Sequence, residues 1–279
     1  MTLNPIIRLL ENERRYNLHS HTQFCDGRAT MRDFAAQAVA EGFRHYGFSP
    51  HSPIPIESPC NMAEADVPVY LAEVESIRRM YADRPIKFYA SMEIDYLSPQ
   101  FGPASDYFAN LPLDYRIGSV HFIPSDEGFV DIDGRFESFK LKMDRYFHND
   151  IRHVVESFYS QSTKMLEAGG FDIIGHFDKI GHNASHFKLG IEDEPWYRSL
   201  VNDLIDLIIE KKVTVEINTK AWADHGRMFP AINLLPRLVE ADTPIVVNSD
   251  AHYPNLIDAS RGTAFEMLDK ISSTKHQHT

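Results

Sequence analysis

The sequence predicts an α/β fold, a distorted (β/α)7 barrel, on two observations. Short apolar runs alternate with amphipathic segments along all 279 residues, the pattern of parallel strands joined by right-handed crossover helices. A polar, ligand-type residue also closes nearly every apolar run, as at His21, Glu93, His121, His176 and Asp250. In a barrel the carboxyl ends of all strands converge on one face, whereas an open doubly wound sheet spreads them along a line. Convergence is what lets such residues share bound metal ions, so the barrel is preferred, with a metal centre at its carboxyl-end face. A single α/β barrel needs about 250 residues, and the whole chain, 1–279, reads as one domain.

The candidate strands, in order, are 16–21, 45–49, 86–93, 115–121, 171–176, 213–218 and 245–250. Amphipathic segments at 31–41, 69–81, 151–168, 196–210 and 231–240 supply the crossovers. Thr30 is placed to cap the first helix and Gly42 to end it. In the fourth, Leu200, Leu204, Leu207 and Ile208 keep one apolar face. Gly169-Gly170 stops the third before its strand. Residues 52–68 and 125–147 are long Pro- or Gly-containing insertions on the ligand side, read as lids or substrate walls. The polar tail 272–279 reads as frayed; its His276 and His278 follow no apolar strand and are set aside.

Bulk properties narrow the function. A formal net charge of -12 argues against nucleic acid or an acidic membrane surface as the main partner. No stretch approaches the roughly 18 apolar residues of a membrane span, and residues 1–15 lack a signal-peptide core. Cys25 and Cys60 fit neither a disulfide framework nor a Cys-x-x-Cys site. They read as free thiols in a cytoplasmic protein. Nothing in the sequence speaks to oligomeric state.

Among the strand ends, Asn17-Leu18-His19-Ser20-His21 is the strongest signal. Residues i and i+2 of a strand face the same side, so His19 and His21 can grip one ion together. Asp250 and His252 repeat the spacing. A lone strand-end histidine is usually structural or merely exposed; it is the co-occurrence of His19, His21, Asp26, His51, Glu93, His121, His176, Asp250 and His252 that changes the reading. Asp26 alone would be a turn residue before Gly27, and His51 between two prolines would be rigid loop packing. Zinc takes about three or four protein ligands, so this many donors suit two or three ions sharing a carboxylate. The remaining histidines, His45, His148, His153, His182 and His186, read as surface groups in helices or loops, with His225 intermediate.

The set His19-x-His21, Asp26, His51, Glu93, Gly118-Ser119-Val120-His121, Gly175-His176-Phe177-Asp178 and Ser249-Asp250-Ala251-His252 resembles the PHP (polymerase and histidinol phosphatase) superfamily. Gly47-Phe48-Ser49-Pro50-His51, and Glu216-Ile217-Asn218-Thr219 with Arg227, resemble its histidinol-phosphate phosphatase branch. The likeness spans roughly residues 16 to 265. It implies a trinuclear centre: His19, His21, Glu93 and Asp250 on the first ion, Glu93 bridging to a second held with His121 and His176, and Asp26, His51 and His252 on the third. Some relatives carry histidine where Asp26 stands, so a carboxylate here makes the third site harder. The ions' identity, Zn, Fe, Mn or Co, is left open by these donors.

The resemblance implies hydrolysis of a small phosphate monoester, with histidinol phosphate the first expectation and histidine biosynthesis its setting. Asp250 is then the candidate proton shuttle. Arg227 is the first choice for a bidentate phosphate clamp and Lys179 the second, against surface solvation for each. Phe122, Phe129, Trp222, Asp126 and Asp224 are the candidate contacts for the rest of the substrate. Competing readings are a PHP-type phosphodiesterase or nucleotide phosphatase, an amidohydrolase and a non-catalytic metal-binding module. Amidohydrolases also begin on His-x-His but usually bridge their ions with lysine, where this chain offers Glu93.

Overall fold

The protein's computed structural model describes residues 3–275; His276 and His278 lie outside them. The chain is α/β with parallel sheets. Strands β1 (Tyr16–Asn17), β2 (His45–Phe48) and β3 (Lys87–Ala90) form one sheet in the order β1-β2-β3. Strands β4 (Glu93–Asp95), β5 (Ile117–Ser119), β8 (Ile173–Ile174), β9 (Thr214–Asn218) and β10 (Ile245–Asn248) form a second, ordered β10-β9-β8-β5-β4. Every pair in both is parallel.

The sheets meet at two seams. The third expected strand, 86–93, breaks at Ser91-Met92 into β3 and β4, so one run of chain belongs to both. A parallel bridge pairs His51 with Glu93, and Glu93 N–H donates to the Pro50 carbonyl at 3.0 Å. At the other seam Ser20 bridges Ala251, with His21 N–H donating to the Ala251 carbonyl at 2.9 Å. Both seams run through candidate ligands.

The crossover helices follow from local chemistry. Thr30 and Asp33 make a reciprocal capping box at the start of helix Met31–Ala40, satisfying donors the first turn leaves open. Asp150 caps Ile151–Ala168, whose buried Val154, Val155, Phe158, Ser162 and Met165 recur at helical spacing. Gly169 and Gly170 end it at φ 72° and 83°, and a Cβ on Gly170 would lie 2.4 Å from the Ala104 backbone. Pro195 opens Pro195–Lys211, where a missing N–H costs nothing. Helix Leu235–Glu240 follows a short 3-10 turn.

Insertion 125–147 holds more structure than its composition suggests. Strands β6 (Phe122–Ser125) and β7 (Gly128–Asp131) form an antiparallel hairpin, followed by helix Phe136–Phe147, which buries Phe139, Met143 and Phe147. The tail also differs from expectation. Residues 261–275 are helical, so 272–275 are not frayed among the described residues. Buried Arg261 holds this helix: its guanidinium stacks on Tyr16, Phe43 and Phe265 and donates to the Val247 carbonyl. No helix among the described residues is long and apolar enough to cross a membrane.

Candidate metal centre

Glu93 sits at the middle of the candidate ligands, 1% exposed. Its two oxygens face different partners. Oε1 is 2.7 Å from His176 Nε2, 2.8 Å from Ser119 Oγ and 3.5 Å from His121 Nε2. Oε2 is 3.1 Å from His51 Nδ1, 3.3 Å from His19 Nε2 and 3.5 Å from His21 Nε2. Asp250 Oδ1 lies 3.0 Å from His21 Nε2 and 3.5 Å from His252 Nδ1. Asp26 approaches His252 Nε2 at 3.2 Å, His21 Nδ1 at 3.6 Å and His51 Nε2 at 3.9 Å. The structure thus brings together all nine side chains singled out as ligands, two of them, His176 and Asp250, at φ of 22° and 50°, a region non-glycine residues enter uncommonly.

The donor chemistry fits divalent cations. His19 Nε2, His21 Nε2, His51 Nδ1, His121 Nε2 and Asp26 Oδ1 are buried and make no hydrogen bond, although carboxylate oxygens stand 3.0–3.9 Å away. Contacts at that range without hydrogen-bond geometry are what two ligands of one ion show. Each about 2.1 Å from it, they stand roughly 3.0–3.4 Å apart. Three groups have converging ligand atoms: His19, His21, Glu93; His51, Glu93, His121; and His21, Asp26, His51, His252. His176 joins through Glu93.

The far side of each ring is also held. His19 Nδ1 donates to Glu216 Oε1 at 2.7 Å and His121 Nδ1 to Asp95 Oδ1 at 2.8 Å, which turns each Nε2 lone pair inward. Burial opposes charge throughout. It drives His19 down but is outweighed by Glu216, Glu93 and Asp250, which hold that ring well above its usual range. For His121 the same balance, set by Asp95 and Glu93, reaches about 9. Burial, then His252 and His51, push His21 well below it. Burial would raise Glu93, but His19, His121 and His51 hold it well below the carboxylate range. A cluster that pulls neighbouring imidazoles in opposite directions is one that cations would relieve.

Residues 17–220 match the PHP domain family. The chain belongs to it. A curated "Probable histidinol-phosphatase" of Deinococcus radiodurans is 27% identical over 248 residues, covering 85% of each chain. The histidinol-phosphatase of Bacillus subtilis is 25% identical over 254 residues, covering 84% of this chain and 92% of that one. Among solved structures, the hisK protein of Listeria monocytogenes superposes with a TM-score of 0.78 at 19% identity, over 89% of this chain and 99% of its own. Histidinol phosphate phosphatase of Lactococcus lactis, complexed with zinc, L-histidinol and phosphate, gives 0.65 at 17%, over 92% and 94%. These two superpositions carry the fold.

In this PHP domain the centre opens into a cavity of about 800 Å³. Both insertions wall it, through Ser58, Cys60 and Asn61 on one side and Asp131, Asp133 and Phe136 on the other. Lys179 lines it, its Nζ 2.7 Å from Asp133 Oδ2. Arg227 does not. Its guanidinium is committed to both oxygens of Glu192, each at 2.8 Å, and to Asp178 at 3.3 Å. The expected phosphate fork is already filled by a carboxylate, so Arg227 is corrected to a structural cation. Phe122 and Asp224 line the cavity; Phe129, Trp222 and Asp126 are not among its lining residues.

Three contributors were missed as functional groups. Glu216, fully buried, also accepts from Asn248 Nδ2 and His176 N–H. Its motif carries the branch resemblance but by itself implies no role. Asp95 repeats the i, i+2 spacing of His19-x-His21 from Glu93, a signal that was available. Lys220 Nζ lies 3.3 Å from Asp250 Oδ1 and 3.2 Å from His252 Nε2 on the cavity wall. No sequence pattern marked it.

Proposed function

We propose that this chain is a metal-dependent phosphatase that hydrolyses L-histidinol phosphate to L-histidinol and phosphate. The observation that carries it is Glu93, whose two oxygens face separate imidazole sets, as a carboxylate bridging two ions must. The substrate follows from two curated relatives bearing the histidinol-phosphatase name and from the Lactococcus lactis protein's complex with zinc, L-histidinol and phosphate. The reading assigns two or three divalent ions of the Zn, Fe or Mn type to His19, His21, Asp26, His51, Glu93, His121, His176, Asp250 and His252. It takes residues 1–279 as one domain. The two seams support reading both sheets as one distorted (β/α)7 barrel, since they would close seven parallel positions into a ring. Two free thiols suit a cytoplasmic enzyme.

Divalent ions bound by these residues would supply a lowered pKa for bound water, from 15.7 to near ~7, and positive charge beside the phosphoryl oxygens. The chain's own groups do the rest. Asp250, kept well below the carboxylate range because Lys220 and His19 outweigh its burial, stays ionised and would orient the attacking water. Lys179 and Lys220 flank the centre as fixed cations for the phosphate. Lys179 is buried, yet the carboxylates of Asp133, Asp250 and Glu93 outweigh that burial and keep it charged. The test is phosphate release from a panel of small monoesters and diesters by metal-replete protein. Histidinol phosphate should be turned over best and diesters poorly; a clear preference for a diester or nucleotide would overturn the substrate assignment.

A further inference from the structure

The cavity has a second cluster, away from the metal centre. His182, His186 and His225 all line it. Ring centroids are 4.6 Å apart for His182–His186 and for His182–His225, and 6.4 Å for His186–His225. Phe229 stands edge-on to His182 at 6.4 Å, and Phe136 packs on His186 at 5.5 Å. No carboxylate pairs with these rings among the described ion pairs, unlike the histidines of the centre.

Helix Ile180–Phe187 sets the cluster's distance from the centre. It starts directly after Lys179, and Lys179, His182 and His186 at spacings of three and seven residues share one helical face. At 1.5 Å rise per residue, His182 lies about 4.5 Å and His186 about 10 Å further along the axis than Lys179. Asn183, which also lines the cavity, donates to the Ile132 and Gly134 carbonyls and clamps the helix to the cavity wall. A substrate whose phosphate sits against Lys179 can therefore reach His182, and beyond it His186 and His225, with its alcohol.

We infer that His182, His186 and His225 form the subsite for the leaving alcohol and select one that carries a nitrogen heteroaromatic ring. The inference rests on the phosphatase reading and specifies how that site chooses its substrate. A neutral imidazole offers one donor and one acceptor, the complement of another imidazole, and its ring packs on a planar partner. Burial, then His186 and His225, push His182 down to about 4, so it does not repel a cationic substrate.

The test compares histidinol phosphate with phosphoethanolamine, which keeps the phosphate ester and the ammonium but has no ring. In the double variant His182→Ala/His225→Ala, the ratio of kcat/KM for the two should fall by about tenfold or more, mainly through KM for histidinol phosphate, as when a site loses the groups that pair with a substrate's polar atoms. Bound metal should match the native protein. A ratio within twofold of native, or a native enzyme with no preference between the two, overturns the subsite while leaving the phosphatase. Calorimetric binding of L-histidinol separates the two claims from the other side. If no monoester is hydrolysed, the proposed function fails. The subsite then stands only if L-histidinol binds the native protein and not the double variant, and falls otherwise.

Discussion

Arg227→Ala should damage the fold far more than the chemistry. The guanidinium is 16% exposed and Asp178, one of its two partners, 2%. Asp178 also accepts the Ala231 N–H at 2.8 Å, so it cannot swing out to water without breaking the chain's path. Removing one member of a buried ion pair costs ~3–5 kcal/mol, because the other charge is left uncompensated. Glu192 is 35% exposed and can be rehydrated, so its share is ~0–1 kcal/mol. The sum is about 3–6 kcal/mol, or a Tm drop of roughly 6–24 °C at ~2–4 °C per kcal/mol for a chain approaching this size. The sign with pH is fixed by Asp178, which burial raises to about 6 against the pull of Arg227. An acid raised in the folded state favours folding most below its unfolded value, and that contribution is lost as pH rises through about 6. The deficit of the variant should therefore be largest near pH 8 and narrow toward pH 5, where Asp178 takes a proton and no longer needs the cation. Thermal unfolding of both proteins across that range, with kcat/KM per folded molecule beside it, is the assay. Unchanged Tm with a tenfold or greater loss of kcat/KM would return Arg227 to the phosphate and refute the assignment.

Three further outcomes follow from the same geometry. Glu93→Gln should lower bound metal by more than one ion per chain in elemental analysis, because its two oxygens serve separate sets; loss of a single ion with full activity contradicts the bridge. Lys220→Met should cut kcat/KM for phosphate monoesters roughly tenfold to a hundredfold, the ~1.5–3 kcal/mol of a hydrogen bond to a charged group, with metal content retained; native kinetics would remove Lys220 from the site. Metal affinity should climb with pH toward about 9, since His121, buried but held up to about 9 by Asp95 and Glu93 in the metal-free chain, must lose its proton to bind an ion. Competition titrations at pH 6, 7.5 and 9 check this, and a flat affinity would speak against His121 as a ligand.

The ligands were legible because strand alternation and strand-end position are written locally. His19-x-His21 and Asp250-x-His252 need only a period of two, and Glu93, His121 and His176 need only a strand that stops. Each expected strand is present, although β1 and β8 pair over only two residues each. What the sequence hid is non-local. Whether Arg227 meets phosphate or Glu192 depends on where a helical turn 35 residues earlier comes to rest. Lys220 earns no pattern of its own, and its place beside Asp250 arises from the pairing of β9 with β10. His182 and His186 read as surface groups and His225 as intermediate because only two share a helix, and the third arrives from the segment after β9. The hairpin and helix within insertion 125–147, read only as a lid or substrate wall, escape notice because the hairpin is short and the helix mixes Lys, Arg and Asp with the buried face of Phe139, Met143 and Phe147.

The most direct test is a titration of divalent ion into metal-stripped protein while phosphate release from histidinol phosphate is followed. Stripped protein should be inactive, and the rate should rise with added ion and level off at two or three equivalents per chain. Full activity without any ion, or a plateau at one equivalent, would contradict a multi-ion phosphatase centre built around Glu93.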